Sequence, residues 1–296
     1  MPELPDVEVY VDRISALVTG RPLERVRLAN PFLLRSVDPP VSALETRRVT
    51  GVRRLGKRIV LVFEADLFAV LHLMIAGRLH WRGPRAPIPG RVGAAAFDFP
   101  NGSLILTEGG TRKRASLHIV RGVDALRAHD PGGIEVLESD ARAFQAALRR
   151  EVHTLKRALT DPALFSGIGN AYSDEILHRA RLSPFARTDH LTPEEITRLW
   201  QAARDVLAEW KDRLGAVAGF PEHVTAFREG MAVHGRYRKP CPVCGSPVRR
   251  IVYAENETNY CATCQTEGRL LADRSLSRLL KDDWPGRLED LDEKHR

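Results

Sequence analysis

Four cysteines constrain this chain more tightly than anything else in it. Cys241-Pro-Val-Cys244 and Cys261-Ala-Thr-Cys264 are two C-x-x-C pairs, and the 296-residue sequence has no other cysteine. Each pair can straddle a tight turn, and a β-hairpin between them can bring four thiolates to one tetrahedral zinc ion. The intervening residues suit that hairpin, with Val248–Tyr253 as one strand and Thr258–Tyr260 as the other. The alternatives are two disulfides or unpaired buried thiols; a cluster confined to residues 241–264 is not a disulfide framework for the whole chain. Four thiolates leave no open coordination position. The expected zinc is therefore single and structural, and it marks a small rigid module.

The rest of the chain is too long for one core, so two or three domains are expected. Residues 1–130 read mainly as strands. Arg58–Glu64 and Leu67–Leu73 are β-rich runs separated by Ala65-Asp66, and Ala96–Phe99 and Leu104–Leu106 flank the tight-turn pair Asn101-Gly102. Val7, Val11, Ile14, Leu17 and Val18 recur at helical spacing, which predicts a helix before the sheet. Strands at this density suggest a sandwich or barrel. Residues 131–225 change character. Thr192-Pro-Glu-Glu195 is a capping box with proline at the first helical position, followed by an apolar stripe of Ile196, Leu199, Trp200, Ala203, Leu207 and Trp210 that belongs in a core. Further helices are expected over Val152–Leu159 and Ala171–Ala180.

Between those two helices lies Ser166-Gly-Ile-Gly-Asn170. Glycines allow close backbone approach, and free N–H groups at a helix start favour a phosphate, with the Asn170 amide as a further donor. A plain glycine-rich turn would look the same. Lys plus Arg exceeds Asp plus Glu by 45 to 38, a net charge of +7, which suits a polyanionic partner without requiring one. No signal peptide and no apolar run long enough to span a membrane is visible, so a cytoplasmic protein is expected.

Several landmarks, taken in order, resemble the Fpg/Nei family of formamidopyrimidine-DNA glycosylases and endonuclease VIII. They are Met1-Pro-Glu-Leu-Pro-Asp-Val-Glu8, Lys57 in Leu55-Gly-Lys-Arg, His72-Leu near Gly77-Arg78, and Leu155-Lys followed by Gly167-Ile-Gly-Asn-Ala-Tyr-Ser-Asp-Glu-Ile-Leu177. Phe227-Arg-Glu-Gly, Val233-His-Gly-Arg236 and the cysteine segment ending at Gln265 complete the series. The resemblance implies an α+β multi-domain fold: an N-terminal β-sandwich with flanking helices (1–130), a helix-two-turns-helix domain (131–225), and a zinc-finger β-hairpin (226–268). A charged C-terminal extension (269–296) would follow, with a short amphipathic piece at Leu270–Leu280 that packs on the body, frays or binds a partner.

The same resemblance implies an activity: a DNA glycosylase with AP lyase activity, acting on double-stranded DNA that contains a damaged base or an abasic site. Once Met1 is removed, Pro2 would attack C1′ of the damaged nucleotide and form a Schiff base. Glu3 would act as acid and base, and Lys57 would hold a phosphate beside the lesion; without the family, Lys57 reads as a solvated turn lysine. His72, Gly169 and Asn170 would contact DNA, and Cys241, Cys244, Cys261 and Cys264 would hold the zinc. A monomer associated with the nucleoid is expected.

The sequence departs from the family at the grip on DNA. The family's phosphate-clamping arginine five residues before the third cysteine is Asn256 here, and no arginine lies between Ile251 and Tyr260. Asparagine cannot replace the bidentate, charge-assisted contacts of a guanidinium. Of the residues that fill the space left by a flipped base, the methionine position falls at Ile75, next to Met74. The arginine–phenylalanine loop corresponds to Thr111-Arg-Lys-Arg-Ala115, with Ala115 in place of a phenylalanine wedge. Arg112, Lys113 and Arg114 fill the void, grip the backbone or form a bland charged loop. An atypical lesion preference is the expectation. A non-catalytic protein that binds damaged or single-stranded DNA is the alternative, and retention of both Pro2 and Glu3 argues against it. A zinc-ribbon RNA-binding protein would leave the N-terminus unexplained.

Overall fold

Helix α1 (Leu4–Val18) opens the chain, with Leu4, Val7, Tyr10, Val11, Ile14 and Val18 all buried. Eight strands follow: β1 (Arg25–Leu28), β2 (Val49–Leu55), β3 (Arg58–Phe63), β4 (Leu67–His72), β5 (Gly77–Arg82), β6 (Gly93–Phe99), β7 (Gly102–Glu108) and β8 (Ser116–Arg121). In this computed structural model, which describes residues 1–221, 224, 227–253, 256–272 and 286–288, they form two four-stranded antiparallel sheets, ordered β1-β6-β7-β5 and β2-β3-β4-β8.

Alternation along the strands decides which face is buried against what. Ile59, Leu61 and Phe63 of β3 and Leu67, Ala69 and Leu71 of β4 share one core with Leu79, Phe97, Phe99, Leu104 and Leu106 of the other sheet and with α1. The fold is therefore a sandwich. Val60, Phe68 and Val70 point the opposite way and are covered by Leu126 of α2 (Val123–Arg127). The turns fall where local chemistry permits them. Ala65 and Asp66 take φ of 62° and 52° between β3 and β4, and Pro100-Asn101 joins β6 to β7.

Downstream come α3 (Ala141–Leu148), α4 (Leu155–Thr160), α5 (Asn170–Ala180) and α6 (Pro193–Gly215), then β9 (Arg249–Tyr253), β10 (Asn256–Tyr260) and α7 (Ala262–Thr266). The capping box of α6 is formed: Thr192 N donates to Glu195 Oε2 at 3.0 Å, and Glu195 N donates to Thr192 Oγ1 at 3.2 Å. Helix α4 starts at Leu155, later than Val152. The reason is an extended segment ahead of it, in which His153 N donates to Thr188 Oγ1 and Thr188 N donates to His153 O.

The chain folds into two compact units that do not follow its four sequence segments. Residues 209–226 join residues 1–132, and residues 227–296 join residues 133–208. The physical reason lies in α6, whose 23 residues span roughly 34 Å. At its last residue and just beyond, Gly215 O and Val217 O accept from Arg13 Nη2 at 2.8 and 2.9 Å, and Phe220 packs on Tyr10 with ring centroids 5.7 Å apart. In the other unit the hairpin is fastened to α5. Of the C-terminal extension, Leu270, Leu271 and Leu288 pack on Ile251 and Tyr260 of the hairpin. The remainder of the Leu270–Leu280 piece, from residue 273 on, lies outside the described residues.

Candidate functional site

In the first unit, the candidate residues include the N-terminus and its neighbours. Pro2 and Glu3 are both buried, Glu3 to 3% exposure, directly before the first turn of α1. The Glu3 backbone N–H donates to Asp6 Oδ2 at 2.8 Å, so a carboxylate at the third helical position fixes the backbone that carries Glu3. The pKa of the terminal amine, that of Met1, lies below its ordinary value of 8.0. Burial is the main cause; Arg78 and Lys57 push the same way, while Glu3 and Asp6 oppose. An amine, two carboxylates and two cations are thus close enough to act on one another electrostatically. Asp6 and Arg78 are the members that motif reasoning did not assign. Their signal was available, in the capping position of Asp6 and in the Gly77-Arg78 pair itself.

Lys57 sits in the two-residue turn that joins β2 to β3, made possible by φ of +60° at Gly56. His72 ends β4 opposite Arg58. Its Nε2 is buried with no hydrogen-bond partner among the described residues. Burial pushes its pKa down to about 4, helped by Arg58, Lys57 and His118, so the ring is neutral near pH 7. Ile75 is 52% exposed in the turn between β4 and β5. That turn is held tightly: a Cβ on Gly77 would lie 2.3 Å from the Leu73 carbonyl oxygen.

Arg112, Lys113 and Arg114 are exposed on the loop between β7 and β8. The loop is anchored from below by the buried Glu108, whose Oε1 accepts from Arg114 N at 2.6 Å and Ala115 N at 3.0 Å, and whose carbonyl oxygen accepts from Lys113 Nζ. Ala115 is 3% exposed and belongs to the sandwich core, so no wedge projects from its position.

The second unit holds the glycine turn and the cysteines. Gly167 takes φ of +78°, and Gly169 caps α5, whose first residue is Asn170. Lys156 clamps this turn from α4: its Nζ donates to Asn170 O at 2.7 Å, Ser173 Oγ at 2.8 Å and Asp174 Oδ1 at 2.6 Å. The other carboxylate oxygen of Asp174 faces His234 Nδ1 at 2.8 Å and accepts from Asn259 N of β10 at 3.1 Å. Glu175 accepts from the backbone N–H groups of Ala232, Val233 and His234 at 2.7 to 2.9 Å. Burial raises its pKa above the usual carboxylate value, and these three donors oppose that rise. The turn and the hairpin are therefore one fastened assembly.

The four cysteine sulfurs lie within 4.8 Å of one another, none in a disulfide. That donor set fits one tetrahedral zinc held by Cys241, Cys244, Cys261 and Cys264. Asn256 takes the first position of β10, opposite Tyr253; its side chain lies outside the described residues, as do Ala254 and Glu255. Among the described residues, no helix is long and apolar enough to cross a membrane.

Comparison with known proteins bears on all three segments. Residues 1–144 match the model of the formamidopyrimidine-DNA glycosylase N-terminal domain, residues 133–212 that of the H2TH domain, and residues 238–266 that of the zinc finger found in FPG and IleRS. The formamidopyrimidine-DNA glycosylase of Thermus thermophilus is 34% identical over 90% of this chain and 100% of its own length. The crystal structure of MutM (Fpg) from Thermus thermophilus matches with a TM-score of 0.76 at 35% identity, covering 90% of this chain and 100% of that one. A Lactococcus lactis Fpg variant bound to Fapy-dG-containing DNA shares the fold, with a TM-score of 0.79 at 23% identity over 90% of this chain and 100% of its own.

Proposed function

The chain belongs to the formamidopyrimidine-DNA glycosylase family, and from that premise we propose that it excises damaged bases through its N-terminal proline and cuts the resulting abasic site. The observation that carries this reading is the terminal amine. Burial, with Arg78 and Lys57 nearby, lowers the pKa of the Met1 amine, so the surroundings of the terminus favour the free-base form of an amine. With Met1 removed, the terminal amine is instead the secondary amine of Pro2, a buried residue next to Glu3. Its lone pair attacks C1′, the base leaves, and loss of the ring oxygen from C1′ gives an iminium. Glu3 takes the proton released by the Pro2 ammonium and gives it to that oxygen as the sugar opens, then accepts the C2′ proton whose loss drives elimination of the 3′ phosphate.

Lys57 and the neutral His72 hold backbone phosphates beside this centre, and Gly169 and Asn170 offer backbone and amide donors at the start of α5. The substrate is double-stranded DNA with a damaged base or an abasic site, in keeping with the Fapy-dG-containing DNA bound by the Lactococcus lactis relative, and the protein acts as a monomer. Burial of Ala115 and the Asn256 replacement support an atypical lesion preference, with Arg112, Lys113 and Arg114 working at the void.

Borohydride trapping on a duplex with an abasic site tests the chemistry, using zinc-loaded, Met1-processed protein. A covalent adduct is expected from the wild type. It should be lost or move to another amine in Pro2→Gly, and elimination should slow in Glu3→Gln. Binding of the damaged duplex without any adduct would overturn the lyase reading in favour of a damage-binding protein.

A further inference from the structure

Helix α5 reaches the zinc module at one point beyond Asp174 and Glu175. One turn on, His178 Nε2 lies 3.3 Å from Cys241 Sγ. Both residues are buried, at 5% and 3% exposure. Positions 174 and 178 are one helical turn apart, so the face of α5 that takes up Asn259 and His234 also presents this imidazole to the cysteines. The cysteine cluster, whose ligand atoms all lie within 4.8 Å of one another, does not include His178. His178 thus stands beside a ligand without belonging to the set.

Four thiolates on one divalent ion carry excess negative charge, and hydrogen bonds from outside the coordination set orient such ligands and tune their hold on the metal. Burying an imidazole costs free energy unless its ring nitrogens are bonded. Asp174 already fastens α5 to the hairpin and Glu175 fastens it to residues 232–234, so mechanical attachment needs no histidine here; an apolar side chain would fill the position more cheaply. We propose that His178, held in the tautomer protonated at Nε2, donates a hydrogen bond to the Cys241 thiolate and acts as a positioning residue for the zinc. The metal is then coupled to α5 through an imidazole, and α5 is the helix whose first residue is Asn170. Zinc retention and the placement of the glycine turn respond to the same side chain.

The test begins with the unmodified, zinc-loaded full-length protein. Ring 15N shifts of His178 should show Nε2 protonated; an unprotonated Nε2 overturns the proposal outright, with no variant needed. Next, zinc transfer to a competing chelator is compared among wild type, His178→Phe and His178→Gln. Loss of the donor in His178→Phe should weaken zinc binding by about ten- to a hundredfold, in the range found when partners of metal ligands are removed. His178→Gln, whose amide can still donate from near the Nε2 position, should stay close to wild type. In the cobalt-substituted proteins, the sulfur-to-cobalt charge-transfer band should move to lower energy in His178→Phe and return in His178→Gln. Unchanged zinc affinity and an unmoved band in His178→Phe would overturn the proposal and leave His178 as packing, even if that variant is less stable.

Discussion

Replacing Lys156 by methionine should loosen the start of α5. The ammonium donates to three acceptors, and its partner Asp174 has a fully buried side chain while Lys156 is 12% exposed. Methionine fills the volume of the stem and removes the charge. Asp174 then keeps Asn259 N and His234, so it is left partly rather than wholly unpaired. Breaking a buried ion pair from one side costs about 3–5 kcal/mol, and the remaining donors place this case near about 3. If the cost appears as local opening, amide exchange within α5 should accelerate by about two decades in zinc-saturated protein. Adding Asp174→Asn to Lys156→Met should recover part of the loss, because it removes the stranded charge. Exchange in Lys156→Met within threefold of wild type, or a double variant worse than the sum of the singles, would refute the reasoning.

Further outcomes follow from the same geometry. His72 has a folded pKa of about 4 against an ordinary 6.5, so it contributes stability that is full above pH 6.5 and is lost as pH falls through about 4; denaturation across this window should be shallower for His72→Leu than for wild type. Cys261→Ser should lose zinc and release the hairpin from α5, whereas the sandwich, with a core of its own, keeps its β circular dichroism signal at room temperature. Gly77→Ala should cost about 1–3 kcal/mol in thermal unfolding, since a Cβ there meets backbone rather than a movable side chain.

Much of the architecture was legible along the chain because its causes are local. The β-rich runs Arg58–Glu64 and Leu67–Leu73 predict strands, and β3 and β4 form there, with Ile59 on the face in the sandwich core and Val60 on the face beneath Leu126. The Thr192 capping box forms as its spacing requires. Boundaries were less legible. Helix α4 begins three residues late because residues near 188 compete for the backbone of His153, and that competition is long-range.

The candidate site divides the same way. Spacing was enough to name the four cysteines and the glycine turn, and resemblance was enough to name Pro2, Glu3, Lys57 and His72, because each depends on residues a few positions apart. What tertiary structure alone decided is the state of those groups and the company they keep. The amine is depressed and His72 is neutral because distant strands bury them and bring Arg78, Lys57 and Arg58 close. Asp174 meets His234 and Asn259 across 60 and 85 positions. Ala115, just ahead of β8, is buried in the sandwich core with its N–H held by Glu108. Hydrogen-bonded turns and strand alternation are set by neighbours within a few residues. Desolvation and charge pairing are set by whatever the rest of the chain packs against them, and no local pattern encodes that.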